Sequence, residues 1–376
     1  MDKLFFKMLF PLWALLLVFN FAAPKVDFSE NENRKLAVLP DFSVKTLLNG
    51  KYMQKLDEYA NDHFVGRDYW MAAQSTLEYA IGKRENNGVF LGRDALMADI
   101  ARPDASRVEA NIRGMRAFAQ NIGKPCYLML VPSAAAVQPQ KLPPLAASWE
   151  QQAFIEEVNG KVQDVITPVP IFDTLSQNRE EYIFYRTDHH WTTDGAFLAY
   201  TQAAPAMGLP TRTAEHYRVR TISEQFNGTL FSKSGARGIT PDSIKAYDIG
   251  IVTGFTAYDG QKNNSYPSMY FDEFLTKKDK YSYFLGENQP LVSITTAAGT
   301  GKKLLMFKDS YAHSFAPFLT ADYDEITLVD MRYINSTKAL GELVDLKSYD
   351  DILFLYSTDV FSQLLHVSKL ENMFGQ

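Results

Sequence analysis

Apolar residues fill positions 4–23 with only Lys7 and Asn20 interrupting, and Lys3 and Lys7 form a positive flank. About 20 apolar residues span a bilayer, and flanking lysines stay cytoplasmic. The pattern predicts a single-pass membrane signal anchor over 1–23. A cleaved signal peptide is the alternative, although 21–23 lacks a clean small-x-small cleavage site. Either way the remaining chain lies outside the cytoplasm, and 24–43 reads as a polar linker. From 44 to 81 apolar residues recur at helical spacing (Leu47, Leu48, Leu56, Tyr59, Phe64, then Trp70 and Leu77), predicting two helices parted near 62–66.

Beyond residue 88 the rhythm changes. Residues 88–97 read as a strand, a turn and a partner strand. A helix follows over 104–121, with Asp104 as its cap. The continuous apolar run 126–131 then suits a strand buried on both faces of a parallel sheet. A helix is predicted over 149–165, strands over 169–173 and 182–185, and a helix from 194 towards 206. Residues 211–300 hold turn residues and short alternating runs, and read as an antiparallel β-rich insertion or lobe laid over the core. Strands at 302–307, 325–330 and 351–356 restore the earlier rhythm, and a helix closes the chain over 360–373. The predicted architecture is one α/β domain over 44–376, a parallel sheet flanked by helices.

Composition narrows the function. With 46% hydrophobic and 13% aromatic residues, the 376-residue chain can fill a large core. Its net charge of −6 is dispersed, which argues against a nucleic-acid partner. The single cysteine, Cys126, sits in an apolar run and reads as a buried thiol. No zinc spacing and no nucleotide-binding glycine string occurs, so neither a metal nor a cofactor is predicted.

Two stretches carry candidate chemistry. Residues 186–195 read Arg-Thr-Asp-His-His-Trp-Thr-Thr-Asp-Gly. Asp188 and His190 are two apart, so in an extended segment they share a side, and the carboxylate can orient the imidazole. His189 would then face the other way. Adjacent histidines diverge in a strand, which disfavours a metal at Asp188, His189 and His190. A polar turn before a helix, capped by Thr192 or Thr193, is the plainer reading. The second stretch is the apolar run 304–307 followed by Lys308-Asp309-Ser310-Tyr311. A serine at a strand-to-helix turn sits where open α/β sheets place ligands, and the Ser310 and Tyr311 N–H groups would face an oxyanion. The alternative makes Asp309 or Ser310 a simple helix cap. Together the stretches supply a nucleophile, a base and its orienter. His313, one turn beyond Ser310, is an alternative base.

The Asp188-His189-His190-Trp191 string resembles the motif of the DHHW family of bacterial proteins. That family is similar to the alginate O-acetylation proteins AlgX and AlgJ, whose domain belongs to the SGNH hydrolase-like group. The resemblance extends to residues 32–37, to the glycine-flanked strand 88–92 and to the turn at 308–312. It implies an SGNH-like fold with Ser310 as nucleophile, His190 as base and Asp188 as its orienter, in permuted order. His189, Trp191 and Asp309 would support them, and Tyr311, Arg332 and Asn335 are candidates for holding an oxyanion or substrate, with pairing to a structural carboxylate the plainer reading of Arg332. It also implies an O-acetyltransferase or esterase acting on a cell-surface or secreted polysaccharide, with a multi-spanning membrane acyltransferase as partner. Lys308 stands where such esterases have glycine and is expected to crowd the turn. That departure supports the alternative of a non-catalytic glycan-binding or scaffold protein. Tyr217, Phe226, Phe231 and Tyr258 are candidates for stacking on sugar rings, with packing under the β-rich insertion the plainer reading of each.

Overall fold

The computed structural model describes residues 25–29, 34–334 and 337–374, with scattered residues between 7 and 20. An eight-stranded sheet forms its centre. In chain order its strands are β1 (Cys126–Val131), β2 (Thr167–Pro168), β3 (Val252–Tyr258), β4 (Asn263–Tyr266), β5 (Leu291–Thr296), β6 (Lys303–Lys308), β7 (Glu325–Val329) and β8 (Asp351–Ser357). Their spatial order is β4-β3-β5-β7-β6-β8-β1-β2. From β7 to β2 the neighbours are parallel.

The central strands are apolar on both faces because both faces are covered. Tyr127, Met129 and Val131 of β1 enter one core, while Cys126, Leu128 and Leu130 enter the other. Leu304 and Met306 of β6 likewise alternate with Leu305 and Phe307. The second core is covered by the helices Ala105–Ile122 and Gln151–Val162. Asp104 caps the first, accepting from the Ser106 N–H at 3.0 Å.

The sheet is mixed, not wholly parallel as predicted. β5 lies antiparallel to β7, and the β3–β4 hairpin extends the sheet beyond it. The stretch read as one β-rich insertion is thus divided. Its second half is the antiparallel side of the central sheet. Its first half is a separate ribbon of Arg218–Phe226 and Asp242–Asp248, with the helix Thr229–Ser234 in its connection. Turn-rich alternation looks the same in both settings, so the pattern does not tell them apart.

Three smaller elements differ from expectation. Residues 182–185 form no strand; Phe184 makes only a single bridge to Trp191 across a tight reversal. The pair Thr167–Pro168 is the edge strand, and Phe172–Gln177 is helical. The closing helix is short, Thr358–Gln363, with a 3-10 turn at Val367–Asn372.

Helices Lys51–Asp62 and Arg67–Ala80 lie at the start of the predicted 44–376 domain, and only Ser75 among their residues is buried. Much of the predicted anchor lies outside the described residues. Among the described residues no helix is long and apolar enough to cross a membrane.

Candidate active site

Ser310 follows the carboxyl end of β6, and the turn that carries it is tied to the next strand. The Asp309 N–H donates to the Leu355 carbonyl at 3.2 Å. The Asp309 carboxylate accepts from the Tyr311 N–H at 3.0 Å and from the Ser357 N–H at 2.7 Å. These bonds anchor the turn between β6 and β8, at the edge where ligands enter open α/β sheets.

Asp188 and His190 arrive from the 182–191 reversal. Buried Asp242 accepts from the Arg186 N–H at 2.7 Å and the Thr187 N–H at 2.8 Å, pinning the approach. Thr192 caps the following helix, Thr193–Ala206, accepting from the Gly195 N–H at 3.1 Å. Trp191, fully buried, donates its indole N–H to the Tyr311 carbonyl and to Ser314 Oγ, each at 3.1 Å. The Tyr311 hydroxyl donates back to the His189 carbonyl. The two stretches, 120 residues apart, are stitched together on both sides of the histidines.

Three side chains stand in line there. His190 Nε2 is 2.7 Å from Ser310 Oγ, and His190 Nδ1 is 2.6 Å from Asp188 Oδ1. Asp188 is nearly buried and accepts further bonds from the His190 N–H at 3.0 Å, the Thr229 N–H at 2.8 Å and the Thr229 hydroxyl at 2.9 Å. Burial alone would raise its pKa. The two neighbouring imidazoles and these hydrogen bonds overcome burial and hold the carboxyl well below its usual range. The Tyr281 ring stacks on His190 at 3.9 Å with a 10° tilt, and its hydroxyl donates to the Ser310 carbonyl at 3.0 Å.

Several expectations are corrected by this geometry. His189 does not face away; its ring lies 3.9 Å from that of His190 and lines the same cleft as Ser310. The segment is a turn, not a strand, so adjacent side chains do not alternate. Ligand atoms of Asp188, His189 and His190 consequently lie within 4.8 Å of one another. The facing atoms are already hydrogen-bonded, His189 Nδ1 to Thr229 Oγ1 at 2.8 Å and Asp188 to His190 and Thr229, so an ion would have to displace these bonds. The Tyr311 N–H is spent on Asp309, leaving the Ser310 N–H as the one of the two without a partner among the described residues. Asn335 lies outside the described residues.

Lys308 does not crowd the turn. Its buried ammonium lies beneath it, 2.8 Å from His313 Nε2 and 3.3 Å from Asp330 Oδ2. Burial pushes the Lys308 pKa down against the pull of Asp330, and burial with Lys308 beside it pushes that of His313 well down. The His313 ring packs there against Lys308, and it is the His313 backbone N–H, not the ring, that bonds Ser310, donating to its carbonyl at 3.2 Å. Asp330 also pairs with Arg332, at 2.9 Å to Nε and 2.6 Å to a terminal nitrogen, and Arg332 lines the cleft. Of the proposed stacking aromatics, Tyr217 and Phe226 are buried in the cores.

The cleft holds about 250 Å³, and Lys233, Ser133 and Asp359 also face it. Thr229, Gly228 and Tyr281 were not singled out from the sequence. A Cβ on Gly228 would stand 2.3 Å from that of Asp188, so only glycine lets the carboxylate sit there. The Asn227-Gly228-Thr229 string just before a helix was the available signal.

The family profile described as DHHW protein matches residues 118–329, more than half of the chain. The chain belongs to the DHHW family. A DHHW family protein from Eubacterium siraeum, known from a crystal structure, is 25% identical with a TM-score of 0.63, covering 77% of this chain and 96% of that one. Bacillus cereus PatB1 shares the fold at 20% identity and a TM-score of 0.63, covering 74% and 98%. The probable alginate O-acetylase AlgJ of Pseudomonas fluorescens is 26% identical over 181 residues, 44% of this chain and 45% of that protein. The chain therefore spans under half the length of the curated relatives it matches.

Proposed function

We propose that this DHHW protein is an SGNH-like acyltransferase or esterase acting on O-acyl groups, chiefly acetyl, of a cell-surface or secreted polysaccharide. The observation that carries the reading is the hydrogen-bonded line Asp188–His190–Ser310 opening on a cleft. A serine hydroxyl becomes nucleophilic when an adjacent base takes its proton. Ser310 Oγ attacks the ester carbonyl while its proton passes to His190 Nε2. Asp188 holds the Nδ1–H and balances the charge on the imidazolium. The carbonyl oxygen, now negative, is met by the Ser310 N–H and by Arg332. His190 returns the proton to the leaving alkoxide, and an acyl-Ser310 remains. An acceptor hydroxyl, or water, then reverses the sequence. The glycan class comes from the likeness to AlgJ, named a probable alginate O-acetylase, and an acyl-delivering multi-spanning membrane partner is a further part of the proposal, drawn from the DHHW resemblance alone.

An N-terminal membrane anchor belongs to the same reading. Among the described residues, 18 of the 24 large apolar side chains left exposed fall between Phe10 and Ile81. This concentration of exposed apolar residues along the N-terminal stretch supports an apolar neighbour for it.

The test is active-site labelling of the full chain in detergent with a fluorophosphonate, alongside p-nitrophenyl acetate hydrolysis. The reading expects covalent labelling that is absent in Ser310→Ala and nearly absent in His190→Ala. Folded wild-type protein that neither labels nor turns over acetate ester rejects it.

A further inference from the structure

The mechanism leaves His189 without a task, yet its side chain is 38% exposed into the cleft beside Ser310. Donor counting fixes its tautomer. The Thr229 hydroxyl has one hydrogen, and Asp188, which can only accept, takes it at 2.9 Å. The contact of His189 Nδ1 with Thr229 Oγ1 at 2.8 Å must then run the other way, with Nδ1–H donating. Nε2 is left with a lone pair and no partner among the described residues. The ring is neutral at physiological pH, because its surroundings, and next the charge of His190, hold its pKa down at about 4.

From this we infer that His189 Nε2 accepts a hydrogen bond from a hydroxyl next to the attacking one, so that the acyl acceptor is a ring bearing vicinal hydroxyls. The attacking oxygen must lie near Ser310 Oγ, close enough to give its proton to His190 Nε2. The two imidazoles are neighbours, with centroids 3.9 Å apart. A second hydroxyl on the adjacent carbon of a sugar falls within reach of His189 while the first is at His190. Water and simple alcohols have no such second group. In the step itself, the new ester C–O bond forms as the Ser310 acyl C–O bond breaks, and the acceptor proton passes through His190 to Ser310 Oγ. His189 exchanges no proton; it is a positioning residue for the acceptor.

The inference rests on the acyl-Ser310 reading, and one experiment separates the two. Full-length protein in detergent is acylated with p-nitrophenyl acetate, then offered methyl glucoside or 1-propanol. The p-nitrophenol burst reports acylation, and the ratio of glucoside to propyl ester formed reports acceptor choice. Wild type is expected to favour the glucoside. His189→Asn keeps a donor for Thr229 but loses the Nε2 acceptor, and its ratio should fall about threefold to tenfold, as for one lost hydrogen bond. A ratio scored per acyl-enzyme does not respond to a merely structural loss of active protein. Folded wild type that neither labels with the fluorophosphonate nor releases p-nitrophenol sinks the acyl-enzyme reading itself. A burst followed by hydrolysis alone, by no preference for the glucoside, or by an unchanged ratio in His189→Asn overturns the role of His189. Nitrogen NMR of the wild-type histidines, assigned against His189→Asn, gives a check without turnover: a protonated Nε2 on His189 at pH 7 overturns it as well.

Discussion

Thr229→Val isolates the support behind Asp188. Valine keeps the branched shape, and the Thr229 N–H still donates to Asp188 Oδ2 at 2.8 Å. Only the hydroxyl is lost, one of four hydrogen bonds to a carboxylate that is 2% exposed. A hydrogen bond to a charged group contributes about 1.5–3 kcal/mol, so the folded state should lose about that much. The rate should suffer less, because the bond is present before and during reaction. What changes is the restraint on Asp188 when the imidazolium forms, and about 1.4 kcal/mol there is tenfold in rate. We expect kcat/KM for p-nitrophenyl acetate to fall about tenfold and thermal stability to drop. His189 also loses its acceptor, so acceptor preference should weaken in the same variant. Wild-type stability and rate in Thr229→Val would refute the claim that the hydroxyl restrains Asp188.

Gly228→Ala drives a methyl into the Asp188 side chain, 2.3 Å from its Cβ, and should lower kcat/KM about 100-fold, since small displacements of catalytic groups cost that much; near-normal turnover would contradict the packing. Buried His313 is neutral in the fold, its pKa pushed well below the ordinary 6.5, whereas the unfolded chain gains a proton there as pH falls past that value. The unfolded state then binds more protons, so this contribution is intact above about pH 6.5 and lost below it, by up to about 1.4 kcal/mol per pH unit. Melting temperatures across pH 5–7 should fall more steeply for wild type than for His313→Gln. Chelator treatment should leave fluorophosphonate labelling unchanged; its loss, restored by an added metal, would point instead to an ion held at Asp188, His189 and His190.

Local patterns carried the parts of this site that are local in sequence. An apolar run ending in Lys-Asp-Ser marks a strand and its turn, and Asp188 lies two residues from His190. The contact across 120 residues has no sequence pattern of its own; it follows from β6 and the reversal at 182–191 meeting at one edge. Thr229 and Tyr281 come from two further segments whose only signals were turn chemistry and a lone tyrosine among many. His189 departs from strand alternation because residues 186–190 form a turn, a choice over strand that the local pattern leaves open. That the antiparallel strands expected within 211–300 continue the central sheet was not legible for a related reason: β5 is half buried, with Thr295 exposed, and its place is set by pairing with β7, not by composition.

Lys308 shows how a departure from a family pattern can be absorbed. A lysine beneath the Ser310 turn looks disruptive until its ammonium is traced to His313 and Asp330, which Arg332 also engages. Here the charge is compensated, and each partner depends on the others. The Lys308 ammonium supplies the donor for His313 Nε2, while the backbone at Phe284 engages the same ring. Lys308→Met fills a similar volume without charge, so crowding predicts a gain or no change. The hydrogen-bond network predicts the reverse. His313 Nε2 is left buried and unsatisfied, which costs about 1–3 kcal/mol, and Asp330 keeps Arg332 alone. A lower melting temperature together with slower turnover supports the network, because Asp330 then orients the cleft-facing Arg332 without its second cation. A Lys308→Met protein as stable and active as wild type would mean that the lysine is only a filler beneath the turn.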